Sequence, residues 1–180
     1  MTATETLKQE HQVILLVLDA AEREVQSIQA GGTVHADTVA EMVDFFRNFA
    51  DTCHHAKEEK LLFVKMQERG MPADSGPIAV MLQEHDQGRR LVRAVAGALP
   101  ATDPEAVATV RDSLQAYAAL LRAHIAKEDN ILYPMADRLF STDDQRHLRQ
   151  AFDRVEAEEI GPGVHEKYHE LAHRLAEGHE

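Results

Sequence analysis

Four stretches of this chain place an apolar residue at every third or fourth position, and each of the four stripes includes a histidine. That period belongs to the α-helix, in which such positions share one face. The first stripe is Leu7, His11, Ile14, Leu18, Ala21, Val25 and Ile28, and the second is Val43, Phe46, Ala50, His54, Glu58 and Leu61. The third is Ile78, Met81 or Leu82, His85, Gly88, Val92 and Val95, and the fourth is Val110, Leu114, Tyr117, Leu121, His124, Glu128 and Ile131. In two of them a glutamate follows the histidine by four residues, so His54 with Glu58 and His124 with Glu128 project from the same faces. Burying a carboxylate without a partner costs roughly several kcal/mol. Two glutamates and four or five imidazoles inside one core make sense when cations sit among them and offset the desolvation. A purely structural bundle accounts for one hydrogen-bonded core histidine, but poorly for four on consecutive helices.

The breaks between stripes predict an all-α chain. Helix one spans about Thr4 to Gln29 and stops at Gly31-Gly32; helix two spans about Asp37 to Arg69, where Gly70, Pro72, Gly76 and Pro77 end it. Helix three starts near Pro77 and ends before Pro100, and helix four runs from Asp103-Pro104 to about Leu139, with Pro134 expected to kink or loosen its last turn. Ser141 or Thr142 can cap a fifth helix ending near Ile160, and Gly161-Pro162-Gly163 separates it from a last helix ending near Ala176. The expected organisation is a four-helix bundle over residues 1–140 and a C-terminal helical extension over residues 141–180 that packs on the bundle or on a partner.

Net charge is −12 with the histidines neutral, and an acidic surface repels phosphate backbones, so nucleic acid is not an expected partner. The longest apolar run, Val13 to Leu18, is too short for a membrane span. With no signal-like N-terminus and a single cysteine, Cys53, the expected location is the cytoplasm, with Cys53 a buried thiol. The expected assembly is a monomer or homodimer. His165, His169 and His173 flank the apolar stripe of the last helix and read mainly as surface residues.

His55 lies three residues before Glu58, so His54, His55 and Glu58 form one cluster about a hundred degrees wide on helix two. The candidate metal ligands are therefore His11, His54, His55, Glu58, His85, His124 and Glu128. If both carboxylates bridge two ions, these residues supply about nine bonds and an oxo or hydroxo bridge adds about two, leaving roughly one of twelve octahedral positions open. Nitrogen and oxygen donors without thiolate suit iron or manganese. Glu59, Asp86 and Asp129 adjoin the candidate ligands, and some of them are expected to orient an imidazole through its outer N–H. A ferritin-like site needs Glu-x-x-His on two facing helices. Here that spacing occurs only at Glu166–His169 and Glu170–His173, overlapping on one short helix.

These pieces resemble the hemerythrin-like, HHE-type cation-binding family. The resemblance rests on His11, on Cys53-His54-His55-Ala56-Lys57-Glu58-Glu59-Lys60-Leu61-Leu62-Phe63, on Glu84-His85-Asp86, on His124-Ile125-Ala126-Lys127-Glu128-Asp129 and on Ile131-Leu132-Tyr133-Pro134. It covers about residues 5 to 138. It implies an up-down-up-down bundle holding two iron ions joined by an oxo or hydroxo bridge, able to meet O2, peroxide or nitric oxide with an electron donor of its own. Two departures stand out. Oxygen carriers of this kind have two histidines four apart on helix three, where this chain has Met81 and His85, so His55 is the choice for the fifth imidazole. The carriers use an aspartate five residues after the helix-four histidine, here Asp129, whereas the HHE variants use a glutamate at four, here Glu128, which the stripe favours. The departures favour a redox-stress, sensor or storage role over simple oxygen carriage.

Overall fold

A computed structural model describes residues 1–178. The described residues form six helices and no strands. We number them α1 (Ala3–Gln29), α2 (residues 36–68), α3 (Gly76–Ala98), α4 (residues 104–139), α5 (residues 142–160) and α6 (Val164–Glu177). α1 begins with a reciprocal cap, in which Thr2 accepts from the Glu5 N–H and Glu5 accepts from the Thr2 N–H. The Asp103 side chain caps α4 through Ala106, and Pro104 fills the first helical position, where its missing N–H costs nothing. Ser141, rather than Thr142, caps α5 in a reciprocal arrangement with Asp144. Asp144 also accepts two hydrogen bonds from Arg69, which fastens the start of α5 to the end of α2.

Three of the helices are not α-helical throughout. π turns occupy Phe46–His55 and Glu58–Leu62 in α2, Glu128–Leu132 in α4 and Val155–Ile160 in α5. The irregularity expected around Pro134 takes the form of a π turn just ahead of it, over Glu128–Leu132. Pro134 lies in the first turn of the α-helical stretch Tyr133–Leu139, and the irregularity comes before it, in the π turns. These turns change the bonding pattern just ahead of the residue that cannot donate.

α1 packs on α4, and α3 packs on α4 and α2. α5 and α6 return across the bundle, α5 against α1 and α2, and α6 against α1 and α2. The tight link between α5 and α6 uses positive φ at Gly161 (98°) and Gly163 (78°). The apolar interior is divided in two. One cluster joins Val13–Ile28 of α1, Val39–Ala50 of α2, Val92 and Val95 of α3, Val110–Ile125 of α4 and Leu171 and Leu175 of α6. The other joins Ala3 and Leu7, Leu62–Met66, Ile78 and Met81, Leu132–Ala136, and Leu148 and Phe152 of α5. Between them every bundle helix contributes polar side chains, and that layer contains the histidines. No described helix is long and apolar enough to cross a membrane.

Candidate metal centre

His11, His54, His55, Glu58, His85, His124 and Glu128 come together in this middle layer, and none is more than 5% exposed. Their donor atoms fall into two groups, His55, Glu58, His85 and His124, and His11, His54, Glu58 and Glu128, with the atoms of each group within 4.8 Å of one another. Both carboxylates lie between the groups. Glu58 Oε2 is 3.3 Å from His85 Nε2 and 3.8 Å from His54 Nε2. Glu128 reaches His11 Nε2 with Oε2 at 3.2 Å and His124 Nε2 with Oε1 at 3.0 Å.

A ring of outer carboxylates fixes the imidazoles. His11 donates its Nδ1–H to Asp129 (2.8 Å), His54 to Glu10 (2.8 Å), His85 to Glu59 (2.7 Å) and His124 to Glu84 (2.8 Å). An ionised carboxylate only accepts, so each of these rings carries its proton on Nδ1 and, when neutral, turns a lone pair inward from Nε2. Cations hold the outer carboxylates in turn: buried Lys57 binds Glu10, Arg89 binds Glu59 and Lys127 binds Glu84. Of the three neighbours expected to orient an imidazole, Glu59 and Asp129 do so. Asp86 is exposed and pairs with Arg89 instead. Glu128 faces inward, whereas Asp129 sits outside on His11.

The inner atoms lack partners that the protein itself can supply. His11 Nε2 stands 3.0 Å from His54 Nε2, and His85 Nε2 stands 3.1 Å from His124 Nε2. Two neutral imidazoles facing each other this way present acceptor to acceptor. Glu58 Oε2, both carboxylate oxygens of Glu128 and His55 Nδ1 are buried without any hydrogen-bond partner. Buried polar atoms are normally paired, so converging lone pairs and orphaned carboxylate oxygens fit a cation between them. The cluster can hold a metal ion.

Without a metal, protons stand in for that charge. Burial pulls the His11 imidazole down, but Asp129, Glu128 and Glu58 outweigh it and raise the pKa to about 9. Burial is likewise outweighed at His124, chiefly by Glu128, to about 10. Burial would raise the Glu58 carboxyl, yet His54, His85 and His55 hold it well below its usual range. His55 is pushed well below the usual imidazole range, first by burial and then by His85.

Sequence reasoning missed Glu10, Glu84 and Tyr133. Glu84 adjoins His85 in the chain but serves His124 on the facing helix, a pairing that no spacing within one helix reveals. Tyr133 is fully buried and donates its hydroxyl to Glu58 Oε1 at 2.6 Å. The surface reading of the last-helix histidines is corrected for two of them. His165 and His169 are half-buried against Phe49, with His165 on Glu156, and only His173 is exposed. Cys53 is buried.

An all-α chain with a buried histidine and glutamate layer able to hold a metal is the type of protein to which comparison also leads. The chain belongs to the hemerythrin family, whose HHE cation binding domain matches residues 2–136. It is similar to uncharacterized proteins of Mycobacterium bovis and Mycobacterium tuberculosis, each 27% identical over 164 residues, covering 89% of this chain and 64% of the relative. The chain thus spans about 64% of the length of these curated relatives. No solved structure matches it.

Proposed function

We propose that the chain holds two iron ions through His11, His54, His55, Glu58, His85, His124 and Glu128, and that it binds or reacts with O2, peroxide or nitric oxide in redox stress. The observation that carries this reading is the pair of converging Nε2 couples with both buried glutamates lying between them. Two ferrous ions held there would supply electrons to a small oxidant or bind nitric oxide. The protein's own residues do the rest. Asp129, Glu10, Glu59 and Glu84 keep a proton on Nδ1 of four imidazoles and so keep Nε2 free to ligate. Glu58 and Glu128 provide charge that two cations can share. Tyr133 holds a proton at Oη against Glu58, and burial, then Glu128 and Glu58, keep that phenol protonated throughout the working pH range. The apolar layers above and below shield the centre from water on those two sides.

A second reading, an iron or oxygen sensor or an iron reservoir without turnover, draws on one further contact. Glu156 of α5 binds Lys57, Lys57 binds Glu10, and Glu10 orients His54, so the C-terminal helices touch a candidate ligand through two side chains.

Metal analysis of freshly purified protein, with spectra before and after dithionite and then air, tests the proposal. Two irons per chain and a charge-transfer band that bleaches and returns are expected. A protein holding no iron, or one tightly bound zinc, would overturn both readings. Turnover of peroxide or nitric oxide separates the first from the second.

A further inference from the structure

Beside the histidine layer, between α2, α3 and α4, lies a cavity of about 260 Å3. His55 and His85 line it, so it adjoins the centre directly. Buried Phe46, Val92, Tyr117 and Leu121 give it an apolar wall. Gly88 also lines it, and a Cβ there would stand 3.3 Å from the Tyr117 ring, a tight contact. A two-atom ligand needs roughly the space of one water, about 30 Å3 in the liquid, and would fill on the order of a tenth of this volume. The cavity therefore has room for something larger.

Its charge says what kind of molecule. The carboxylates that line it have partners, Asp51 in Arg89 at 2.9 Å and Glu84 in Lys127 and His124. Arg89 is spent on Asp51, Glu59 and Asp86. Arg47 and Arg93 also line the cavity, are exposed, and among the described residues make no ion pair. An apolar wall with guanidiniums at its rim suits an anion with an apolar body.

We propose that this cavity binds a small organic carboxylate beside the metal centre, its apolar part against Phe46, Tyr117 and Leu121 and its carboxylate at Arg47 and Arg93. Its role as the reaction partner of the centre rests on the diiron reading; its binding does not.

The test uses the whole chain, iron-loaded and metal-free, titrated calorimetrically with benzoate and with its neutral analogue benzyl alcohol. Benzoate is expected to bind more tightly than benzyl alcohol, and less so at high salt. An exposed ion pair is worth up to about fivefold, so R47Q/R93Q should weaken benzoate about five- to twentyfold while leaving benzyl alcohol binding and iron content unchanged. Benzoate that binds no better than the alcohol, or that ignores the double substitution, overturns the inference even if iron loads normally. Failure of iron to load overturns the diiron reading instead, and benzoate binding to the metal-free chain then still decides the cavity.

Discussion

Replacing Tyr133 with phenylalanine should destabilise the metal-free protein far more than the loaded one. The Tyr133 hydroxyl makes the one hydrogen bond that the Glu58 carboxylate accepts among the described residues, at 2.6 Å, and Glu58 Oε2 already has none. Glu58 is completely buried and held ionised by the surrounding imidazoles, after burial itself pushes the other way. A hydrogen bond to a charged group contributes about 1.5–3 kcal/mol, and its loss here strands a buried charge. The expected loss for metal-free Tyr133→Phe is about 2–3 kcal/mol, or roughly 4–12 °C in Tm for a chain of this size. With cations beside Glu58 the carboxylate is no longer stranded, and the loss should shrink to about 1 kcal/mol. By linkage the variant then binds metal more tightly, by about tenfold for a difference of about 1.4 kcal/mol. Thermal and urea unfolding of both forms, with a metal titration, measures this. Equal losses in the two forms, or no loss in the metal-free form, would refute the argument that Tyr133 satisfies a carboxylate otherwise reserved for metal.

Three other outcomes are expected. Glu128→Gln, which keeps shape and removes the charge shared by His11 and His124, should lower iron to one per chain or less by metal analysis and shrink the rise in Tm on loading. Loading the metal-free protein at pH 7 should release on the order of two protons, read with an indicator dye in weak buffer, because His11 and His124 are held protonated with pKa values near 9 and 10 and must become neutral to ligate. Glu156→Gln should destabilise the protein at neutral pH. Burial would raise the Glu156 carboxyl, but His165 and Lys57 hold it down at about 2, so its stabilisation is full above the unfolded value near 4.5 and is lost as pH falls from there toward 2. The side chain is 26% exposed, and screening limits the effect to about 1–2 kcal/mol. Wild-type and variant urea midpoints should therefore differ at pH 7 and converge as the pH approaches 2.

The helices were legible because their apolar period, caps and glycine and proline breaks all lie within a few residues of one another. The inner layer was legible for the same reason: a histidine or glutamate on an apolar stripe goes wherever the stripe goes, and His11, His54, His85 and His124 arrive from four stretches of chain. What could not be read depends on which helix faces which. Glu10 orients His54, and Glu84 orients His124, across helix pairs, so their sequence neighbours His11 and His85 mislead. Tyr133 looks like an ordinary core aromatic until its hydroxyl is seen on Glu58. His165 and His169 lie beside the stripe of α6, and only the return of that helix over Phe49 half-buries them. The π turns carry no residue signature that a helical period could expose.

Those π turns affect how lengths should be compared among relatives. A π turn is an α turn with one more residue between bonded partners, so its backbone bonds survive the gain or loss of a single residue. In this chain they contain His54, His55, Glu58 and Glu128, the residues whose mutual spacing looks most rigid. A relative one residue shorter between 46 and 62, or between 124 and 132, can keep the same side chains facing inward by trading a π turn for an α turn, and one a residue longer by the reverse trade. A one-residue gap at these places is then a change of helical winding, with the middle layer intact on either side of it.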